Sequence, residues 1–289
     1  MHIGVVPINA GPFLDQGRLI RLARRFEALG YESMWTFEHV IVPEEYESRY
    51  PYSPSGKLAM GADDSFVDPL IALSFVAAAT DHIRLGTGIN IITQTNPLYL
   101  AKQTSSIDHL SGGRLMLGIG VGWLKEEFDA LGVPFDQRGA RADEYIDAMR
   151  QAWRGEPIDH RGTFVDWRGF KMLPTPAQES GVPIIVGGTT DAAIRRVVER
   201  GDGWYMIHKD LDDFRANVDK LRRECERRGR DSNEIELTAY WNHNREGMEG
   251  FEVYAEHGVS RLLVNLAALR MGDAEEAAEQ FASEVLARL

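Results

Sequence analysis

The chain has a single cysteine, Cys225. It can form no intrachain disulfide, which fits a reducing cytoplasm, and its Arg/Glu-rich surroundings (LRRECERRGR) offer no paired base to make it a nucleophile. Long apolar runs are missing too. The most apolar stretch, Leu70 to Ala79, contains Ser74 and is too short to span a bilayer. The N-terminal MHIGVVPINAG has no basic region ahead of an apolar segment, so no signal peptide is expected and the location expected is cytoplasmic. Positive charge is in deficit: 32 Lys and Arg against 44 Asp and Glu give a net charge of −12. That surface repels phosphate backbones and anionic lipid, which argues against nucleic-acid and membrane partners. The one basic cluster, Arg222, Arg223, Arg227, Arg228 and Arg230, is interleaved with Glu224 and Glu226 and reads as a solvated helix face.

What is present is ordinary globular composition, 44% apolar and 26% charged. Short β-rich runs begin near Ile3, Ser33, Arg84, Arg114, Pro183, Gly203, Ile235 and Ser260. Several are continuously apolar, as parallel strands buried on both faces are. Helical patterns separate them, at 16–30, 68–81, 97–110, 137–154, 190–200, 211–229, 245–257 and 273–288. Two of these open with a cap followed by proline, Asp68-Pro69 and Asn96-Pro97. Eight alternating βα units predict an α/β fold, a single (β/α)8 TIM barrel over residues 1–289. The surplus length lies in an insertion after strand 2, at 42–66, and another before strand 5, at 155–182. The first is rich in tyrosine and reads as a docked lid; the alternation in the second suggests a hairpin or irregular excursion.

Active sites of such barrels form at the C-terminal strand ends. A metal-dependent barrel hydrolase would want a His-x-His pair on the first strand, where this chain has Asn9. No metal is expected, although His39, His208 and His243 stand at strand ends that could meet across the mouth. A glycosidase needs two facing carboxylates, and the fourth and seventh strand ends offer Trp123 and Asn242 instead. GIGVGW at 118–123 fails as a dinucleotide fingerprint, because its third glycine falls on Trp123. Its glycines still allow backbone N–H groups to approach an anion, as do Gly187-Gly188-Thr189-Thr190 on the next strand, so the adjacent pair reads as a phosphate cradle; tight turns alone are the other explanation. Gly86 and Gly88 inside the third strand mark a bulge or a close approach of backbone to a ligand.

These pieces resemble the bacterial luciferase-like superfamily of flavin- and deazaflavin-dependent barrel oxidoreductases. The resemblance is carried by LGYESMW…EH (29–39), DPLIALSFVAAATDHIRLGTGI (68–89), NPLYLAKQTSSIDHLSGGRLMLGIGVGWLKEEFDALG (96–132) and PIIVGG followed by RGDGW (183–204). GVGWLKEEF and SRYPYSP are similar in particular to its coenzyme F420-dependent branch. The resemblance implies hydride transfer between coenzyme F420 and a small organic substrate, with a reduced-FMN monooxygenase as the alternative and a non-catalytic flavin-binding barrel behind both. It implies a non-prolyl cis peptide at Gly88–Ile89 backing the ring, with Asn90 beside it, and a phosphate end on Gly120, Val121, Gly122, Gly187, Gly188, Thr189 and Thr190. His39 would be the catalytic histidine and a homodimer the partner state. The residues Trp35, Phe37, Trp123 and Trp241 themselves suggest an aromatic substrate wall, with core packing the other explanation for any one of them. Trp123 stands where a relative that oxidises glucose 6-phosphate has its acidic residue, so that substrate is not supported.

Overall fold

The apolar runs become β1 (His2–Val5), β2 (Ser33–Thr36), β3 (Arg84–Thr87), β4 (Asn90–Ile91), β5 (Leu115–Gly120), β8 (Ile184–Gly187), β9 (Gly203–Met206), β10 (Glu236–Tyr240) and β11 (Arg261–Val264). All pair in parallel, in the order β3-β2-β1-β11-β10-β9-β8-β5-β4, and a β3–β5 pairing closes the ring. β3 and β4 are two halves of one barrel strand, interrupted at Gly88 and Ile89, so eight staves close a (β/α)8 barrel. The computed structural model describes residues 1–14, 17–265 and 274–288. The expected strand end at Leu266 and the first residue of the expected last helix therefore lie outside the described residues.

The helices are α1 (Arg18–Leu29), α2 (Pro69–Ala79), α3 (Pro97–Ser111), α4 (Lys125–Ala130), α5 (Arg138–Trp153), α6 (Asp191–Arg200), α7 (Leu211–Arg228), α8 (His243–Glu256) and α9 (Ala274–Glu284). The two cap-proline pairs act as expected. Asp68 accepts from the Ile71 N–H at 2.9 Å and Asn96 from that of Leu98 at 3.0 Å, satisfying donors that the first helical turn leaves free. α4 has no counterpart in the sequence reading. The second insertion does contain a hairpin, β6 (Asp159–Arg161) against β7 (Asp166–Arg168). Its turn is held by the Glu144 carboxylate, which accepts from the N–H groups of Thr163, Phe164 and Val165, each at 2.8 Å. No helix among the described residues is long and apolar enough to cross a membrane.

Apolar side chains fill two layers, one between strands and helices and one inside the barrel. The inner layer is small: Val6, Trp35, Met116, Ile185, Tyr205 and Leu263. Below Trp35, Arg261 plugs the N-terminal end of the barrel. Its guanidinium donates to both oxygens of Glu32, at 2.6 and 2.7 Å, and to Glu236, and only 1% of its side chain is exposed. Burial disfavours that charge, but the two carboxylates outweigh burial and raise the guanidinium pKa. Removing the cation would leave two largely enclosed carboxylates without it. Arg261→Ala should therefore cost about 3 kcal/mol in urea unfolding, more than truncation of a surface arginine does.

Candidate active site

Period-two alternation along β2 turns Trp35 into the lumen and sets Phe37 two residues above it, at the mouth. Asn9, at the end of the first stave and 1% exposed, holds this strand end. Its amide donates to the carbonyls of Phe37 (2.9 Å) and Val67 (2.7 Å), and its oxygen accepts the Phe37 N–H at 3.1 Å. Glu38 and His39 follow on the fixed segment.

His39 faces Glu127 of α4, with Nδ1 3.2 Å from Oε2. Glu127 is wholly buried and also accepts from Gln94 Nε2 (3.0 Å) and the N–H groups of Val40 (2.6 Å) and Ile41 (3.3 Å). Burial by itself would raise its pKa; the contacts with His39 and Gln94, with the Val40 N–H, bring it below the ordinary carboxylate value. Glu38 behaves in the opposite way. Burial, aided by the Asp68 and Glu127 charges, pushes its carboxyl up to about 8, against the Ile91 N–H and Asn90, which favour the charged form. The two neighbouring carboxyls thus take opposite protonation states near neutral pH.

The structure brings Gly88, Ile89, Asn90, Gly120, Val121, Gly122, Gly187, Gly188, Thr189 and Thr190 together along one side of the mouth. β4 pairs with β5 there, Asn90 opposite Ile119, and β5 pairs with β8, Ile119 opposite Val186. The Gly88–Ile89 peptide is cis, as the resemblance implies. Packing within the protein accounts for several of the glycines. A Cβ on Gly120 would lie 2.4 Å from Ile89, one on Gly187 3.0 Å from it, and one on Gly122 2.5 Å from Phe128. Gly188 is different: its φ of +104° suits glycine, and its space is bounded by Ala193 and the hydroxyl of Tyr52. Thr190 caps α6 through the Ala193 N–H, beside Lys220, which donates to the Thr189 carbonyl at 3.0 Å. Two amide oxygens, Asn90 Oδ1 and Gln94 Oε1, are buried without a hydrogen-bond partner.

The first insertion is docked as expected. Glu126 of α4 accepts the Glu47 and Ser48 N–H groups at 2.8 and 3.1 Å, and the Lys125 N–H donates to the Ser48 hydroxyl at 3.0 Å. So tethered, the loop lays Tyr46 and Tyr50 on Trp123, at ring separations of 5.7 and 5.1 Å. Trp123 in turn meets His39 edge-on at 5.9 Å, and Phe37 meets Phe66 at 5.4 Å.

Two members of the expected aromatic wall lie elsewhere. Trp35 is fully buried as the lumen floor, its Nε1 donating to Ser33 Oγ at 2.8 Å. Trp241 is 1% exposed and packs against His243, Phe251 and Phe281, away from Trp123. An aromatic side chain near a strand end carries no mark of the layer it fills, so the wall around His39 is Phe37 and Trp123 joined by Phe66, Tyr46 and Tyr50. The three strand-end histidines do not converge. His208 bonds the Tyr254 hydroxyl at 2.7 Å and His243 packs on Trp241. Among the described residues no cluster of three or more His, Cys, Asp or Glu side chains could hold a metal. Glu38, Gln94 and Glu127 were missed. A carboxylate beside the strand-end histidine was the available signal for Glu38, whereas nothing in one sequence joins Glu127 to a residue 88 positions earlier.

Residues 6–243 match the family model of luciferase-like monooxygenases. The chain belongs to the luciferase-like monooxygenase family. It is 36% identical over 209 residues to an uncharacterized protein of Mycobacterium tuberculosis, covering 71% of this chain and 72% of that one. It is 30% identical over 173 residues to the FMNH2-dependent dimethylsulfone monooxygenase of Pseudomonas putida, covering 58% of this chain and 47% of the other. In fold it is similar to the coenzyme F420-dependent tetrahydromethanopterin reductase of Methanopyrus kandleri, with a TM-score of 0.76, 18% identity and 99% of both chains covered. Members of the family are oxidoreductases, and this luciferase-like chain is one by membership.

The raised Glu38 pKa has a stability consequence. The folded protein holds this proton more tightly than the unfolded chain, so its contribution is complete below the ordinary 4.5 and is lost as pH rises through about 8. Glu38→Gln should remove that slope. In denaturant melts it should match the wild type near pH 4 and exceed it by on the order of a few kcal/mol at pH 9.

Proposed function

We propose that the protein transfers hydride between a deazaflavin, coenzyme F420, and a small organic substrate at the mouth bounded by Gly88, Asn90 and His39. The observation that carries this reading is the pair of buried, unpartnered amide oxygens, Asn90 Oδ1 and Gln94 Oε1, beside the Gly88–Ile89 segment. Buried acceptors without donors call for a ligand that brings N–H groups, and the pyrimidine edge of a flavin or deazaflavin is such a ligand. The backbone N–H groups of Thr189 and Thr190 at the start of α6 would hold the phosphate. The bound cofactor supplies the hydride chemistry. The chain supplies a backbone surface, an aromatic wall that excludes water and a histidine that can exchange a proton with the substrate. Glu38 holds the Ile91 N–H and so fixes the strand that carries Asn90.

The substrate side is apolar and aromatic, which suits a neutral molecule better than an anionic one. Reduced FMN with oxygen chemistry is the second reading, supported by the Pseudomonas putida relative. Titration of the protein with each cofactor, followed by fluorescence, separates the two: micromolar binding of F420 is expected, and binding of FMN alone would overturn the choice. His39→Ala should leave cofactor affinity within about twofold and lower turnover roughly 100-fold or more; unchanged turnover would remove His39 from the chemistry.

A homodimer would cover apolar side chains on neighbouring helices: Ile71 and Phe75 of α2, each 55% exposed, and Tyr99 and Leu110 of α3, at 71% and 84%. Sedimentation should give twice the chain mass, and Phe75→Glu a shift toward the monomer.

A further inference from the structure

Glu127 is the most heavily hydrogen-bonded side chain beside His39. Three donors converge on its two oxygens, Val40 and Ile41 N–H on Oε1 and Gln94 Nε2 on Oε2, and His39 Nδ1 lies 3.2 Å from Oε2. Three N–H donors on its two oxygens, from Val40, Ile41 and Gln94, hold its pKa below the ordinary carboxylate value, so the group is a carboxylate, and a carboxylate only accepts. His39 Nδ1 must then carry hydrogen. Among the described residues Nε2 has no hydrogen-bond partner, and the ring is held edge-on against Trp123 with only 6% of the side chain exposed.

We propose that Glu127 is a positioning residue that fixes the His39 proton on Nδ1 and leaves the Nε2 lone pair as the group presented to substrate. The neutral ring can then accept one proton at Nε2, and the cation so formed is countered by Glu127 on its other side; return of that proton restores the starting state. Its neighbour Glu126 does different work, since its carboxylate goes to the N–H groups of Glu47 and Ser48. No lysine or arginine among the described residues pairs with Glu127, so the surrounding donors alone balance its charge. The relevance to turnover rests on the proposed function; the protonation state itself does not.

The test is long-range proton–nitrogen NMR of the histidine rings in the purified full chain without added cofactor, at a pH where the ring is neutral. The His39 signals are identified by their loss in His39→Ala. The wild type should show a protonated Nδ1 and a bare Nε2; the reverse pattern would overturn the proposal, whatever the variants do. Glu127→Gln keeps an oxygen for Val40 and Ile41 but turns an amide donor toward His39, so the proton should move to Nε2. An unchanged pattern in a folded Glu127→Gln protein would also overturn it, and Glu127→Asp should restore the wild-type pattern. With a cofactor and substrate in hand, Glu127→Gln should lower kcat about 10- to 100-fold with KM and cofactor affinity within about twofold. Equal loss in kcat and affinity with an unmoved proton would mean a merely structural role. Absence of cofactor binding would defeat the proposed function and leave the NMR result standing.

Discussion

The mouth of this barrel rests on one steric arrangement, the indole of Trp35 lying across the lumen against Gly86. A Cβ on Gly86 would stand 2.2 Å from the Trp35 ring, so glycine there is a condition for the ring to fill the lumen at all. With the indole in place, and Tyr205 beside it at 6.0 Å, the interior is packed up to the level of Gly88. Above that level stand the strand ends, α4 and the inserted loop. The floor is apolar, and the polar groups of the mouth form a single storey at the C-terminal strand ends.

That storey is organised from one side by six residues. α4 carries two successive glutamates whose carboxylates point to different tasks, Glu126 to the inserted loop and Glu127 to the chain at and after His39. Asn9 secures the same strand end from the opposite side. The strand-end histidine is therefore held by its backbone from the first stave and by its ring from the helix after the fourth. The aromatic contacts from Tyr46 and Tyr50 through Trp123 to His39 continue the same connection on the outside.

The barrel was legible because buried parallel strands leave continuous apolar runs and because Asp68-Pro69 and Asn96-Pro97 announce helix starts. His39 was legible as a strand-end residue, and Gly88 as a glycine out of place in a strand. What failed to show has physical reasons. α4 is too short to display a helical period, and it follows glycines that drew attention to themselves. Trp35 and Trp241 look alike in sequence, but one faces the lumen and the other faces α8 and α9. Gly120 and Gly187 read as an anion cradle, whereas the close approach of Ile89 to both is a packing reason for them to lack side chains. The opposed protonation of Glu38 and Glu127 depends on who donates to each, and donors 53 and 88 residues away leave no local trace.

The Arg261 plug sets a timetable for the chain as it is made. Glu32 emerges early, and its guanidinium partner lies 229 residues later, on the last stave. Until β11 arrives, β1 lacks its second neighbour, the ring is open and Glu32 has no cation from that strand. A fragment that ends before β11 lacks both that pairing and that cation, so the ring beneath the mouth closes only when the last stave joins the first.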